Sequence, residues 1–160
     1  MAESNDIESF YRLHADPVFS YLISLCRDRH LAEDLMQDTF VRATRAMGGY
    51  RGESPRAWLF AIARSVFLDD LRRQSRRPVS VEEQDTSAKP DRDPVEQDAI
   101  DRALASLPER QRTALVLSDR VGLSGSEVAE TLGVSDGAAR VLIHRARLGF
   151  RQAYEGGDGT

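Results

Sequence analysis

Between Pro78 and Asp98 the chain has almost nothing from which to build a core, and that gap limits its fold more than any other feature. The segment carries Pro78, Pro90 and Pro94, seven acidic residues, only two basic ones (Lys89 and Arg92) and almost no large apolar side chain. Such sequence cannot bury enough apolar surface to offset the entropy of ordering itself, so it reads as a flexible acidic linker. The chain of 160 residues is thereby divided into two small units, residues 6–77 and 99–154, flanking a linker over 78–98. On either side apolar residues recur at helical spacing, and no strand-like alternation bounded by hairpin signals interrupts them. The expected fold is all-α: two small helical domains, a helical bundle and a helix-turn-helix, joined by the linker.

In the first unit the clearest helix spans residues 32–47. Ala32, Leu35, Met36, Phe40, Ala43 and Met47 share one arc at 100° per residue, whereas Asp34, Gln37, Asp38 and Arg45 share the other. Gly48-Gly49 ends it. Ser54-Pro55 then supplies an N-cap and a first helical residue for a helix over about 55–74. That helix is apolar nearly all round, with Trp58, Leu59, Ile62 and Val66 on one side and Phe60 and Phe67 opposite. A helix of this kind is buried between neighbours, or sandwiched between its own core and a partner.

In the second unit Leu107-Pro108 precedes a helix that runs towards Arg120 and breaks at Gly122. Ser124 and Glu127 have capping-box spacing, so a helix over 124–132 follows and ends at Gly133. Ser135 caps the next one. Two helices joined by the tight Gly133-Val134-Ser135 turn make a helix-turn-helix. Its second helix carries Ala139, Ile143, Ala146 and Phe150 on one stripe and Arg140, His144, Arg147 and Arg151 on another. A basic stripe can be a solvated face, but on this helix it points to major-groove contact.

The net charge of −4 hides segregation. Residues 1–38 hold eight acids against three arginines, residues 56–77 six arginines against Asp69 and Asp70, and residues 137–152 four arginines and no acid. Such a chain can offer one surface to a polyanion and another to a protein. Lys89 is the one lysine among 22 basic residues. Arginine suits bidentate phosphate and guanine contacts, although a GC-rich coding sequence yields the same bias. The single Cys26 and three scattered histidines supply neither an internal disulfide nor a metal site. No cofactor is expected. No apolar run approaches the roughly 20 residues of a membrane span, and the N-terminus lacks a signal peptide's blocks, so a cytoplasmic protein is expected. There is no nucleophile with a base and no glycine-rich phosphate loop after a strand, so no enzyme is expected.

The runs AEDLMQDTF (32–40), YRGESPRAWLFAIAR (50–64) and LDDLRRQSRR (68–77) resemble region 2 of extracytoplasmic-function sigma factors of the sigma-70 family. LPERQRTALVL (107–117), GLSGSEVAETLGVS (122–135) and HRAR (144–147) resemble their region 4. The resemblance covers nearly the whole chain, in the family's order. It implies a factor that binds core RNA polymerase and promoter DNA, recognises −10 and −35 elements and promotes opening, while the polymerase does the chemistry. It implies polymerase docking by Asp34, Leu35, Gln37, Asp38 and Phe40. Tyr50 and Arg51 fall in the loop that captures an extruded −10 base, and Trp58 falls where the family places a tryptophan at the upstream edge of the melted region. Arg64, Arg72, Arg73, Arg76 and Arg77 are implied to hold phosphates, with Ser65 standing where asparagine is common. Ser135, Ala138, Arg140, His144, Arg145 and Arg147 are implied to form the −35 surface. The recognition helix departs from the family at Ala138, Ala139, Val141 and Leu142, leaving Arg140 as the clear base reader.

Two other readings stand beside this one. A plain helix-turn-helix repressor explains residues 107–151 but not the docking motif or residues 50–77. A sigma-like protein without promoter recognition is compatible with the departures at 138–142. The promoter, the inducing signal and any anti-sigma partner are not legible. With about nine residues after Arg151, no appended C-terminal sensory domain is expected.

Overall fold

The computed structural model describes residues 2–50, 52–76 and 94–157, with side chains over 7–50, 52–76 and 95–156. Every regular element among them is a helix. The chain separates into two compact units, and each is described by itself. Arg51, Arg77 and most of the segment read as a linker lie outside the described residues.

The first unit is built from α1 (Ala2–Cys26), α2 (Arg29–Ala46), a 3-10 turn (Met47–Gly49) and α3 (Pro55–Ser75). In α1 the buried Val18, Tyr21, Leu22 and Leu25 follow the i, i+3, i+4, i+7 pattern of a one-sided helix. Helix α1 continues through Pro17, which removes one backbone donor from the ladder. Arg27 turns the chain with φ 58°, a left-handed conformation that costs a non-glycine residue about 1–2 kcal/mol. Asp28 then caps α2, accepting a hydrogen bond from the Leu31 N–H at 3.2 Å. The buried line of α2 is Ala32, Leu35, Thr39 and Ala43. Thr39 is fully enclosed because its hydroxyl donates to the Leu35 carbonyl at 2.7 Å, leaving no orphaned polar atom.

Ser54 caps α3 as its sequence requires, its Oγ accepting from the Ala57 N–H at 3.2 Å with Pro55 following. Burial on α3 goes round the helix: Ala57, Leu59, Phe60, Ala63, Val66 and Phe67 are all enclosed. Helix α3 packs on both α1 and α2, with Phe60 edge-on to Tyr21 of α1 at 5.6 Å between ring centroids. Full burial of each such side chain stabilises the unit by roughly 1.5–3 kcal/mol.

The second unit comprises α4 (Pro94–Ala105), α5 (Glu109–Leu115), a π-helical extension (Val116–Val121), α6 (Gly125–Leu132) and α7 (Asp136–Gly157). Residues 94–98, read from sequence as the end of the linker, are helical. Proline is pre-organised for a first helical position, Glu96 complements the helix dipole there, and Ile100, Ala103 and Leu104 give the helix a face to bury. Arg112 of α5 closes the end of α4: its Nε donates to the Leu104 carbonyl at 3.0 Å and its Nη2 to the Leu107 carbonyl at 3.1 Å. Helix α7 packs on α4, α5 and α6 through Ala139, Ile143 and Ala146, the stripe expected from its sequence.

Candidate nucleic-acid and protein interfaces

The exposed face of α2 carries Asp34 and Gln37, with Asp38 half-buried. Spacing of i, i+3, i+4 and i+7 adds Val41, which is 45% exposed and lies in the same stripe. Sequence reading missed Val41 because one apolar letter on a polar arc carries no signal. Leu35 does not belong to this surface. It is 3% exposed and faces the core, as its place on the apolar arc demands, so its contribution is to packing. Phe40 is half-buried, with its ring edge-on to Tyr11 of α1 at 4.8 Å. Asp38 is tied into a chain of ions: Arg42 reaches it at 3.5 Å and Asp69 of α3 at 3.0 Å, and Asp69 also receives Arg72 at 3.2 Å. All these groups are part-exposed, so each pair is worth about 0–1 kcal/mol. Together with Arg73 and Arg76 they line an open recess of about 410 Å³.

At the start of α3, Tyr50 and Trp58 are half-buried with ring centroids 5.1 Å apart and planes tilted by 47°. They form one aromatic surface beside the 3-10 turn, while Arg51 lies outside the described residues. At 100° per residue, Trp58, Ser65, Asp69, Arg72 and Arg76 fall within one narrow stripe of α3. Arg64 is half-buried and lies about 80° from Arg72, the nearest member of that stripe. Arg72, Arg73 and Arg76 line one recess, and Arg64 is not among its lining residues.

The helix-turn-helix is built by its caps. Ser124 Oγ accepts from the Glu127 N–H, and Glu127 Oε1 accepts from the Ser124 N–H, both at 3.1 Å. Gly133 ends α6 at φ 67°, where a side chain would be strained. Ser135 Oγ accepts from the Ala138 N–H at 3.1 Å, so this hydroxyl is engaged as an N-cap. Ser126 of α6 donates to Asp136 Oδ2 at 3.0 Å, fastening the start of α7 to the preceding helix. Ser135, Ala138, Arg140, His144, Arg145 and Arg147 are all exposed, and Val141 and Leu148 join them at 47% and 45% exposure. One arginine of the expected −35 surface is already occupied. Arg147 donates through Nε to Asp119 Oδ2 at 3.0 Å and through Nη2 to Asp119 Oδ1 at 2.5 Å. The paired guanidinium holds the Asp119 carboxyl below the usual carboxylate range, and the carboxylate raises Arg147 in turn. Sequence gave no sign of this pair, because its members are 28 residues apart and Asp119 is carried by the π-helical segment.

Among the described residues no group of three or more His, Cys, Asp or Glu side chains is arranged to hold a metal ion. No helix among them is long and apolar enough to cross a membrane.

Residues 10–77 match Sigma-70 region 2, and residues 97–148 match Sigma-70, region 4. The ECF RNA polymerase sigma factor SigL of Mycobacterium tuberculosis is 31% identical over 159 residues, covering 94% of this chain and 89% of that protein. The ECF RNA polymerase sigma factor SigE of Mycolicibacterium smegmatis is 37% identical over 153 residues, covering 90% of this chain, which spans only 60% of that relative's length. The structure of the sigma factor RpoE from Bartonella quintana, solved in complex with the anti-sigma factor NepR, superposes with a TM-score of 0.75 at 25% identity and covers 94% of this chain and 97% of that one. Two matched regions in the family's order, each folded as its own helical unit, place the chain in the sigma-70 family, among the extracytoplasmic-function RNA polymerase sigma factors.

Proposed function

We propose that this protein binds core RNA polymerase, recognises the −10 and −35 elements of promoter DNA and promotes DNA opening at initiation, without chemistry of its own. The observation that carries the reading is the pairing of a docking-type polar face on α2 with two separate exposed arginine surfaces, on α3 and on α7. Asp34, Gln37 and Asp38 supply polar contacts to the polymerase, with Val41 as an apolar centre and Phe40 at the rim. Arg72, Arg73 and Arg76 hold phosphates of the −10 region, which positions DNA without reading it. The Tyr50–Trp58 surface offers an extruded base a stacking partner that offsets its lost stacking, and Arg51 is assigned to the same capture by the sequence resemblance alone. On α7, Arg140 reads bases while His144 and Arg145 contact the duplex, and Ser135 and Ala138 set the start of the helix. The partners are core polymerase and promoter DNA in the cytoplasm. An anti-sigma factor is a fitting third partner, since the Bartonella quintana relative was solved with one.

Reconstitution tests this. Core polymerase with the chain is expected to start transcription at defined positions on a promoter library, and Asp34→Lys is expected to weaken its binding to core without loss of helicity. Asp34 is the cleaner variant, because changing Asp38 also removes an ion pair with Arg42. Core polymerase that initiates no more specifically with the chain than without it would overturn the proposal.

A further inference from the structure

We infer that Asp119 is a positioning residue for the DNA-binding face of α7, which holds Arg147 away from phosphate and so sets the sequence-independent affinity of that unit. The inference rests on the proposed −35 contact by α7. Its geometric basis is the side-on, bidentate pair already described, in which both oxygens of Asp119 are used against Nε and Nη2 of Arg147. Such a fork is the geometry guanidinium also uses for phosphate, so carboxylate and DNA compete for one cation. Among the described residues Arg140, Arg145 and Arg151 make no ion pair, so of the four arginines on this helix Arg147 is the one neutralised in place.

The pair is built into the fold. Residues 113–117 are buried in succession, and the π-helical extension that follows carries Asp119 out at the surface. The Leu123 N–H closes that extension on the Leu117 carbonyl at 2.8 Å, and Gly122 takes φ 90° to allow it. The Asp119 carboxyl, held below the usual carboxylate range by its hydrogen bonds from Arg147, fits a carboxylate kept ionised beside its partner. The consequence for DNA follows from counterion release. Each phosphate neutralised on B-DNA adds about −0.9 to the slope of log K against log salt. An arginine already neutralised by carboxylate adds little, and its partner's negative charge repels the backbone.

The test is binding of the full chain to a non-promoter duplex, measured across a salt series. Asp119→Asn keeps the shape of the side chain and removes the charge. It is expected to steepen the salt slope by up to about 0.9 and to tighten binding several-fold, with roughly eightfold at 0.1 M salt as the ceiling one released counterion allows. The gain is expected to be equal on promoter and non-promoter duplexes and to vanish in Asp119→Asn/Arg147→Gln. Arg147→Lys, which keeps the charge but loses the fork, is expected to bind at least as tightly as the parent and serves as the second variant should Asp119→Asn unfold. A folded Asp119→Asn with unchanged slope or weaker binding overturns the inference, since Asp119 would then be bracing Arg147 towards DNA. Absence of duplex binding by the parent and every variant at low salt also overturns the inference, since freeing Arg147 then adds no affinity, while the −35 reading is decided separately by the reconstitution with core polymerase.

Discussion

Replacing Gly149 with alanine sets two terms of opposite sign against each other inside the helix proposed to read the −35 element. A glycine in a helix interior normally gives up about 1 kcal/mol relative to alanine, so the substitution should stabilise α7 on propensity alone. Here, however, a Cβ on Gly149 would stand 2.8 Å from Leu107 Cδ2. Leu107 is only 5% exposed and lies within the α4–α5 connection, so its methyl has little room to withdraw. Overpacking of this kind costs about 1–3 kcal/mol, and the net expectation is destabilisation by about 1 kcal/mol. In a unit of this size that lowers the melting midpoint by about 4–8 °C. Gly137 provides the control within the same helix, because a Cβ there meets no atom within 4 Å. Gly137→Ala is expected to be neutral or to stabilise by up to about 1 kcal/mol, the first turn gaining less than the interior. Far-UV circular dichroism follows both units, whereas the lone Trp58 reports by fluorescence on the first. Gly149→Ala should therefore shift the dichroism transition and leave the tryptophan transition in place. A rise in the midpoint for Gly149→Ala matching that of Gly137→Ala would show that Leu107 yields freely and that the close approach does not fix how α7 seats.

Three further outcomes are expected. Ser124→Ala removes one half of the capping box and should cost about 1 kcal/mol, read as a lower dichroism midpoint with unchanged Trp58 fluorescence; no shift would mean that the cap is not used in solution. Cys26, whose thiol is pushed up to about 11 chiefly by burial, should react with iodoacetamide at pH 8 about tenfold or more slowly in the folded than in the unfolded chain, and equal rates would refute the enclosed site. Arg140→Ala should cost about 1–3 kcal/mol of −35 discrimination in transcription from a promoter library with both elements randomised, and an untouched −35 preference would mean that α7 reads bases elsewhere.

Local chemistry was the legible part of this chain. Ser54-Pro55, the Ser124/Glu127 box, Gly133 and Ser135 each satisfy or end a backbone ladder within four residues, so the letters alone place the elements. The apolar arc of α2 was equally plain, and it identified Leu35 as core. Its assignment to docking came from motif resemblance, which marks a run of residues without separating the face that points out from the one that packs in. Buried threonines were hidden for a different reason. Thr39 and Thr113 look polar, yet each spends its hydroxyl on a partner four residues back and goes fully into the core. What depends on distant partners had no signal in the sequence: Asp69 meeting Arg42 across two helices, Asp119 meeting Arg147, and the widening of α5 into the π turn that carries Asp119.

Those distant pairs change what the segregated charge means. Counted along the sequence, the arginines of α3 and α7 look like two free polycationic faces in an acidic chain. In the fold, Arg72 shares Asp69 with Arg42, and Arg147 is held by Asp119. Among the described residues each surface therefore keeps only part of its charge for phosphate, which lowers its sequence-independent contribution to duplex binding. For a promoter-reading factor this is an advantage, because competing non-specific sites vastly outnumber promoters and phosphate contacts strengthen both alike. Affinity for the right site must then come from engaging both units together. Once one is seated, the second binds as an intramolecular partner at high effective concentration, provided their spacing fits the DNA. Under the proposed function core polymerase is what fixes that spacing. Under that function, weakening each face and relying on their joint placement would make promoter recognition conditional on the polymerase, with the internal ion pairs as the groups that weaken each face.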